Sequence, residues 1–234
     1  MIHGWCQRRR NGKLLMQKQW LDDLLGIPEL RVMGHGQSAV DANLGLGWLY
    51  YAAVRMQRPR LAVCIGSWRG FVPLVLAKGL QDNGDGGRLV FIDPSMVDDF
   101  WAEPSTVQAW FARFGVDNID HHRQTTQQFV VSDTYQQMRD VGLLFVDGMH
   151  TAEQARFDHE AFTPILQPGA PVFFHDGVRR RISRIYGAER AYEHTVVDYV
   201  DELKSRPDLQ VMDFPMDSGV ALVRGTTRPT ANVR

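Results

Sequence analysis

Short apolar runs alternate with amphipathic stretches from residue 60 onward. The runs are rich in β-branched and aromatic residues and too short for core helices, which is typical of strands buried on both faces of a parallel sheet. The predicted strands are 61–65, 88–92, a weaker one near 118–123, 141–146 and one ending at residue 175. Two further runs, 209–214 and 220–224, flank a turn and predict a terminal antiparallel pair.

Helical patterns occupy the connections between these runs. Helices are predicted over 71–80, from 104 to a stop at Gly115, over 125–138, from 151 to 166 and over 178–204. Strands that alternate with helices predict an α/β sandwich built on a mostly parallel sheet. Residues 1–58 carry helical patterns without a strand signal and are interpreted as a helical lid or an oligomerisation segment. Residues 59–226 are then the catalytic domain, and 227–234 a loose tail.

Composition narrows the class of protein. A formal net charge of −1 gives no electrostatic footprint for nucleic acid. Two distant cysteines form no disulfide framework, which favours a reducing compartment, and no apolar stretch suits a signal peptide or a membrane span. The sequence therefore predicts a cytoplasmic protein that binds neither nucleic acid nor membrane. The run Arg179-Arg180-Arg181 is interpreted as a solvated face or a helix end.

Acid and imidazole side chains follow two of the predicted strands. Asp147 and His150 follow the fourth run, and His175-Asp176 ends the fifth. Because open α/β sheets bind ligands at the carboxyl ends of their strands, these groups are expected to converge. The two carboxylates suit Mg²⁺, the mixed set suits a transition metal, and a metal-free site would use His150 or His175 as general base. Asp158 is interpreted as part of a solvated helix face.

A glycine pair lies between the first strand and its helix. Gly66-x-x-x-Gly70 permits a tight turn and a close approach of a ligand to the backbone, although it is not the dinucleotide fingerprint. Asp93 ends the next strand, where a carboxylate can accept hydrogen bonds from ribose hydroxyls. Trp68 lies inside the turn and could flank a bound base. Together these residues favour nucleoside binding over a plain turn.

These segments together resemble a known family. The motifs are Ile65-Gly-Ser-Trp-Arg-Gly70, Phe91-Ile-Asp-Pro94, Leu144-Phe-Val-Asp-Gly-x-His150, Asp158, and Leu166-Gln-Pro-Gly169 followed by Phe174-His-Asp176. They resemble class I S-adenosylmethionine-dependent methyltransferases, within them the small-molecule O-methyltransferase branch, over about residues 45–225. The resemblance implies a Rossmann-like three-layer sandwich whose seven-stranded, mostly parallel sheet has its last strand antiparallel.

The resemblance also implies roles for the cofactor residues. Gly66, Ser67 and Gly70 would wrap the methionine part of S-adenosylmethionine, and Asp93 would hold the ribose with help from Ser95. The segment that contains Thr125 and Thr126 would lie near the adenine. Cys64 departs from the family, whose members usually carry an acid at that position.

Catechol-type members of the family bind Mg²⁺ through an Asp at the Asp147 position and an Asp–Asn pair after the next strand. Here Asp176 matches the first member of that pair, Gly177 replaces the Asn, and His150 replaces a Lys base. His175 is the candidate that compensates for the missing ligand. The expected metal set is therefore Asp147, His175 and Asp176, with Mg²⁺ or another divalent ion.

The resulting hypothesis is methyl transfer from S-adenosylmethionine to a hydroxyl of a small molecule. His150 would be the general base, Asp147 would contact both cofactor and metal, and His175 would assist. Residues 1–58 would cover the acceptor site, with a homo-oligomer as the other interpretation. Two alternatives remain: a nicotinamide-dependent oxidoreductase, which the broken glycine fingerprint disfavours, and a nucleoside-binding protein without catalysis.

Overall fold

A computed structural model describes residues 17–184 and 186–226. The strands are β1 Leu61–Ile65, β2 Arg88–Ile92, β3 Ile119–His122, β4 Leu143–Val146, β5 Val172–His175, β6 Arg181–Ser183, β7 Tyr192–His194, β8 Leu209–Phe214 and β9 Val220–Gly225. Seven of them form one sheet in the order β3-β2-β1-β4-β5-β9-β8, while β6 and β7 form a separate hairpin. β9 runs antiparallel to both of its neighbours, and the other pairs are parallel. The predicted fold is confirmed.

The helices lie on both faces of this sheet. They are α1 Lys18–Leu25, α2 Pro28–Arg31, α3 Gly47–Gln57, α4 Phe71–Asn83, α5 Pro104–Ala112, α6 Thr126–Phe129, α7 Asp133–Gln137, α8 Ala152–Phe162 and α9 Val196–Lys204, with 3₁₀ turns at Thr163–Ile165 and Ala188–Arg190. None of the helices in the described ranges has the length and apolarity needed to cross a membrane.

The central strands are buried on both sides because their residues alternate between two hydrophobic cores. Cys64 and Phe145 face the core formed with the amino-terminal helices, α4 and α5. Ile65 and Val146 face the opposite core, formed with α8 and α9. Neighbouring strands share this alternation because the parallel register keeps equivalent residues side by side.

The amino-terminal segment shares the first of these cores. Trp20 and Leu24 of α1 are buried there, α3 packs on α4, and the Trp20 indole N–H donates to the Phe114 carbonyl at 3.0 Å. The boundaries predicted at 58/59 and 226/227 stay a prediction, because residues 1–16 and 227–234 lie outside the described residues. In the described part, the segment and the sheet bury one continuous apolar surface.

Two predicted helices differ from the structure. The predicted helix over 178–204 is wrong: the β6–β7 hairpin occupies its first part, and within the described residues only α9 is α-helical. The apolar residues that repeat with helical spacing, Val196, Val200 and Leu203, all belong to α9. The predicted helix over 125–138 is interrupted after α6, because the Ser132 hydroxyl accepts the Tyr135 N–H and starts α7 as a new helix.

Candidate active site

A cleft of about 740 Å³ opens at the carboxyl edge of the sheet. It lies at the end of β1, which has β2 on one side and β4 on the other, so that the strand order reverses there. This is the position at which α/β sheets bind ligands. Ten of the residues predicted from sequence line it: Gly66, Ser67, Trp68, Asp93, Ser95, Thr125, Thr126, Asp147, His150 and His175. Gly70 and Asp176 are not in its wall.

The glycine loop closes the cleft against the β4 end. Gly66 has φ +72°, and a Cβ at this position would lie 2.2 Å from the Asp147 carbonyl oxygen, so only glycine fits. Gly70 has φ +86° and precedes α4, with its Cα turned toward the Trp101 ring. Ser67 is buried, and its hydroxyl has no hydrogen-bond partner among the described residues.

Asp93 fixes the loops on the β2 side of the cleft. Its two carboxylate oxygens accept the backbone N–H groups of Ser67 at 3.1 Å and Ser95 at 2.7 Å. Burial raises the pKa of the Asp93 carboxyl, and the two backbone hydrogen bonds oppose this shift. The same carboxylate therefore positions the glycine loop and faces the cleft.

The third wall of the cleft comes from the loop before α6 and from the helix α8. Thr125 and Gln128 form a capping box that starts α6, which leaves Thr126 buried at the cleft. Asp158 also lines the cleft and is buried, so its interpretation as a solvated face is wrong. Burial raises the pKa of Asp158 from 3.8 to about 6, against hydrogen bonds from Thr126 and Gln154.

Asp147 and His175 form a pair at the floor of the cleft. His175 Nδ1 lies 2.6 Å from Asp147 Oδ1, and His175 Nε2 lies 3.4 Å from the Gly34 carbonyl oxygen in the amino-terminal segment. Burial lowers the pKa of His175, but the carboxylates of Asp147 and Asp176 outweigh it and raise the pKa from 6.5 to about 9. The ring is therefore an imidazolium at neutral pH, held between a carboxylate and a carbonyl.

Asp176 lies beneath the cleft, fully buried and with φ +57°, a conformation that Asp tolerates better than most residues. Its N–H donates to the Gly219 carbonyl oxygen at 2.9 Å. Arg181 holds the carboxylate with a fork, Nε to Oδ1 at 2.8 Å and Nη2 to Oδ2 at 2.9 Å. Burial opposes the charge, but the imidazoles of His175, His150 and His194 keep the pKa of Asp176 well below its usual range.

His150 is oriented by this buried carboxylate. His150 Nδ1 lies 3.1 Å from Asp176 Oδ2, and the His150 ring stacks on that of His194 at a centroid distance of 4.2 Å. The Thr195 N–H donates to the His150 carbonyl at 2.9 Å, which ties the loop to the end of the hairpin. With Nδ1 turned to the carboxylate, Nε2 is the ring nitrogen left for a ligand in the cleft.

Sequence reasoning missed Arg181 and His194. They are directly opposite each other in the β6–β7 pairing, and both reach Asp176, where the His194 Nδ1–H donates to Oδ2. No local pattern marks either residue: the predicted helix over 178–204 covers the hairpin, and the run at 179–181 is interpreted as a solvated face or a helix end. The replacement of the family's Asn by Gly177 has a structural cause, because a Cβ at this position would lie 2.9 Å from the Phe174 carbonyl oxygen.

Within the part of the chain that the structure describes, two groups of three side chains bring potential metal-ligand atoms within 4.8 Å of one another: Asp147, His150 and His175, and His150, Asp176 and His194. The predicted set of Asp147, His175 and Asp176 coincides with neither group. His150 belongs to both groups, whereas the predicted metal set omits it and assigns it the role of base.

Comparison with known proteins agrees with the fold. Residues 63–177 match the sequence profile of a family described as a methyltransferase domain. A search of curated proteins finds no match. An O-methyltransferase from Bacillus cereus, solved in complex with SAH, superposes with a TM-score of 0.63 at 16% identity, covering 92% of this chain and 94% of that chain.

Two further solved structures share this architecture. An O-methyltransferase from Streptomyces achromogenes involved in tomaymycin synthesis, in complex with SAM, has a TM-score of 0.60 at 17% identity, covering 93% of this chain and 92% of that chain. An SAH-bound methyltransferase from Podospora anserina has a TM-score of 0.56 at 15% identity, covering 86% of this chain and 89% of that chain. At these identities the likeness concerns the fold.

The sheet order, the glycine loop and the carboxylate after β2 define a nucleoside-binding α/β enzyme domain. The domain profile matched over residues 63–177 and the shared fold agree with the class I S-adenosylmethionine-dependent methyltransferase that the motifs predicted.

Proposed function

We propose that the protein transfers a methyl group from S-adenosylmethionine to a hydroxyl of a small molecule. The observation that carries this proposal is the pairing of His150 with the buried carboxylate of Asp176 at the wall of the cofactor cleft. A base held in this way suits removal of a hydroxyl proton near neutral pH. The Bacillus and Streptomyces neighbours are themselves O-methyltransferases, which supports oxygen as the acceptor atom.

The cofactor half of the cleft fits S-adenosylmethionine. The buried Ser67 hydroxyl has no partner in the described residues and lines the cleft, so it is available to a ligand's polar end. In this proposal Gly66, Ser67 and Trp68 enclose the methionine part, and Gly70 permits the turn behind them. Thr125 and Thr126 lie on the adenine side of the cleft.

Asp93 is assigned to the ribose in this proposal, with Ser95 beside it. Both Asp93 oxygens already accept a backbone N–H, and each carboxylate oxygen has a further lone pair for a ribose hydroxyl. The carboxylate is therefore prepositioned by the loops before the cofactor binds.

The methyl transfer needs alignment and a base. When bound, the cofactor would supply a methyl group on a sulfonium: the acceptor oxygen bonds to the methyl carbon in line as the carbon–sulfur bond breaks, and S-adenosylhomocysteine leaves. His150 Nε2 takes the proton of the acceptor hydroxyl as the new oxygen–carbon bond forms, and Asp176 stabilises the imidazolium that results. Asp147, paired with the cationic His175, supplies negative charge beside the reacting groups without leaving a buried charge uncompensated.

The predicted divalent ion at Asp147, His175 and Asp176 stays a prediction, and the side chains present fit it poorly. Both oxygens of Asp176 already receive the Arg181 fork. His175 Nδ1 lies 2.6 Å from Asp147 Oδ1, and its Nε2 lies 3.4 Å from the Gly34 carbonyl oxygen. No step of the reaction is therefore assigned to a metal.

The mouth of the cleft favours a small acceptor with an apolar body. Four of the exposed large hydrophobic side chains line it, each from a different loop or strand: Val32, Met96, Met149 and Ile182. An acceptor with an aromatic or aliphatic body would cover these four side chains and remove their apolar surface from water.

The proposal is tested first by binding and then by turnover. Calorimetric titration with S-adenosylhomocysteine is expected to show one site per chain. Incubation with S-adenosylmethionine and a panel of phenols, catechols, 3,4-dihydroxybenzoate and sugars is expected to give a product heavier by one methylene, read by mass spectrometry. Binding without transfer to any hydroxyl would favour the nucleoside-binding alternative, and absence of binding would overturn the proposal.

A further inference from the structure

Asp176 is fully occupied by groups of the protein. The carboxylate is buried, and the Arg181 fork holds both of its oxygens at 2.8 and 2.9 Å. The His194 Nδ1–H donates to Oδ2, and His150 Nδ1 lies 3.1 Å from the same oxygen. A bidentate arginine is the strongest neutralising partner a carboxylate has among side chains. Nothing further is needed to balance the charge of Asp176.

A divalent ion at this carboxylate would have to compete with the guanidinium. The ion would lie next to a like charge that cannot be deprotonated, and it would have to break a two-bond fork. The group formed by His150, Asp176 and His194 has ligand atoms within 4.8 Å, but its carboxylate is the one that Arg181 holds. The guanidinium therefore excludes a cation from that group.

In the other three-residue group, Asp147, His150 and His175, different contacts oppose the binding of a cation. Asp147 and His175 face each other at 2.6 Å, and the second ring nitrogen of His175 lies 3.4 Å from the Gly34 carbonyl oxygen. A metal ligand needs a lone pair directed at the ion, and each His175 nitrogen already has an oxygen atom within 3.4 Å. In this group His150 Nε2 is therefore the one imidazole nitrogen that no described protein oxygen approaches.

Arg181 is built into the fold. It is opposite His194 in the hairpin, and the hairpin's end is tied to the β4–α8 loop by the Ala152 N–H, which donates to the Thr195 hydroxyl at 2.9 Å. The adjacent Arg180 points elsewhere, because its guanidinium pairs with Asp198 and Glu193 on an exposed surface. The two arginines are neighbours in sequence but differ completely in their surroundings.

We propose that Arg181 takes the place of a divalent ion at the acceptor end of the site, so that this methyltransferase works without a metal. The proposal rests on the proposed O-methyl transfer. Arg181 lines the cleft, and its Nη1 makes no hydrogen bond with the described residues while Nε and Nη2 hold Asp176. Nη1 therefore donates to an acceptor oxygen next to the hydroxyl that reacts, and the positive charge stabilises the alkoxide as it forms.

The first test uses the metal alone as probe and needs no acceptor. The full chain, stripped with EDTA and desalted, is titrated calorimetrically with Mn²⁺ and with Mg²⁺, with S-adenosylhomocysteine present and absent. We expect no stoichiometric binding to the wild type. The Arg181→Met variant vacates the group His150, Asp176 and His194, so it is expected to bind Mn²⁺. Stoichiometric binding to the wild type, or no binding to the variant, would overturn the claim that the guanidinium holds the place of an ion.

The second test measures methyl transfer to the acceptor found in the panel. Wild-type turnover is expected to be unchanged by EDTA, and Arg181→Met is expected to lower kcat about 10²-fold, the loss typical of removing one transition-state donor. Arg181→Lys keeps the charge without the fork and is expected to fall between the two. Arg180→Met is the matched control and should behave as wild type.

The outcomes separate this proposal from the function on which it rests. A wild type that binds S-adenosylhomocysteine but transfers a methyl group only after a divalent ion is added would overturn the role of Arg181 and leave the O-methyltransferase intact. A wild type that binds no S-adenosylhomocysteine would overturn the function itself. If Arg181→Met unfolds, the comparison of Arg181→Lys with wild type in EDTA carries the test, and equal kcat values would contradict it.

Discussion

The two halves of the cleft are built in different ways. In the cofactor half, Gly66 and Asp93 follow directly after adjacent strands, and the loop backbone supplies the donors that hold the carboxylate. In the acceptor half, Asp176 is completed by Arg181 and His194, which a separate hairpin brings to it. A site made from strand ends can be inferred from neighbouring sequence, whereas a site closed by an inserted hairpin cannot.

The largest expected effect comes from a substitution that removes function from the acceptor half of the cleft alone. His150→Asn removes the base and is expected to lower kcat about 10²- to 10⁴-fold, with the dissociation constant of S-adenosylhomocysteine unchanged. Steady-state turnover and calorimetry measure the two quantities separately. His122→Asn, on β3 and outside the cleft wall, is the control and should keep both values. An unchanged kcat in His150→Asn would remove the base from the mechanism.

The boundary between the halves is tested by a pair of glycines with nearly the same φ, +72° at Gly66 and +71° at Gly84. Gly84→Ala meets no atom within 4 Å, so it is expected to cost only the left-handed backbone strain, about 1 kcal/mol of unfolding free energy. Gly66→Ala places a methyl group against the Asp147 carbonyl, so it should lower the free energy of unfolding further and abolish cofactor binding. Denaturant unfolding and calorimetry compare the two variants. Equal losses of unfolding free energy would show that the close contact of Gly66 with Asp147 does not require glycine.

A milder change should affect the cofactor half alone. Asp93→Asn cannot accept the full set of hydrogen bonds from loop and ribose, and loss of one to a charged group weakens binding by about 10- to 100-fold. We expect the dissociation constant of S-adenosylmethionine to rise while kcat at saturation changes little. Calorimetry with saturating-substrate kinetics measures this split. A lower kcat at unchanged affinity would place Asp93 in the chemical step instead.

The last expected effect is a pH dependence of stability and concerns the cleft wall that Asp158 forms. The pKa of Asp158 is raised by burial from 3.8 to about 6, so the folded protein prefers the protonated acid. Its contribution to stability is therefore full below about pH 4 and is lost as the pH rises through about 6. Asp158→Asn keeps a neutral side chain and is expected to be more stable than wild type at pH 8, by up to about 3 kcal/mol, with the advantage gone at pH 4.

Thermal unfolding at both pH values measures this difference. Glu153→Gln removes a carboxylate from an exposed position in the first turn of the same helix and is the control. A variant that is less stable than wild type at pH 8 would show that the Asp158 carboxylate is stabilised by its surroundings rather than strained by burial.

The strands could be predicted from sequence because burial on both faces leaves short, continuous apolar runs, as in β4 and β5. The predicted residues at their ends line the cleft or lie beneath it for the same reason. The hairpin could not be predicted, because three-residue strands such as β6 leave no periodic pattern. The Arg181 fork is not visible in sequence either, since it depends on the register that sets this residue opposite His194. The interpretation of Asp158 as part of a solvated helix face is wrong because this face of the helix lies in the cleft wall, where the side chain is buried.

The position of β9 has a consequence for the order in which the site is made. The Asp176 amide is held by the Gly219 carbonyl, and His175 pairs with Val220 in the middle of the sheet. During synthesis the ribosome releases residues 219–225 more than 40 residues after Asp176. The carboxylate that orients the proposed base therefore gains its backbone support only once the last strand has been made and has inserted beside β5.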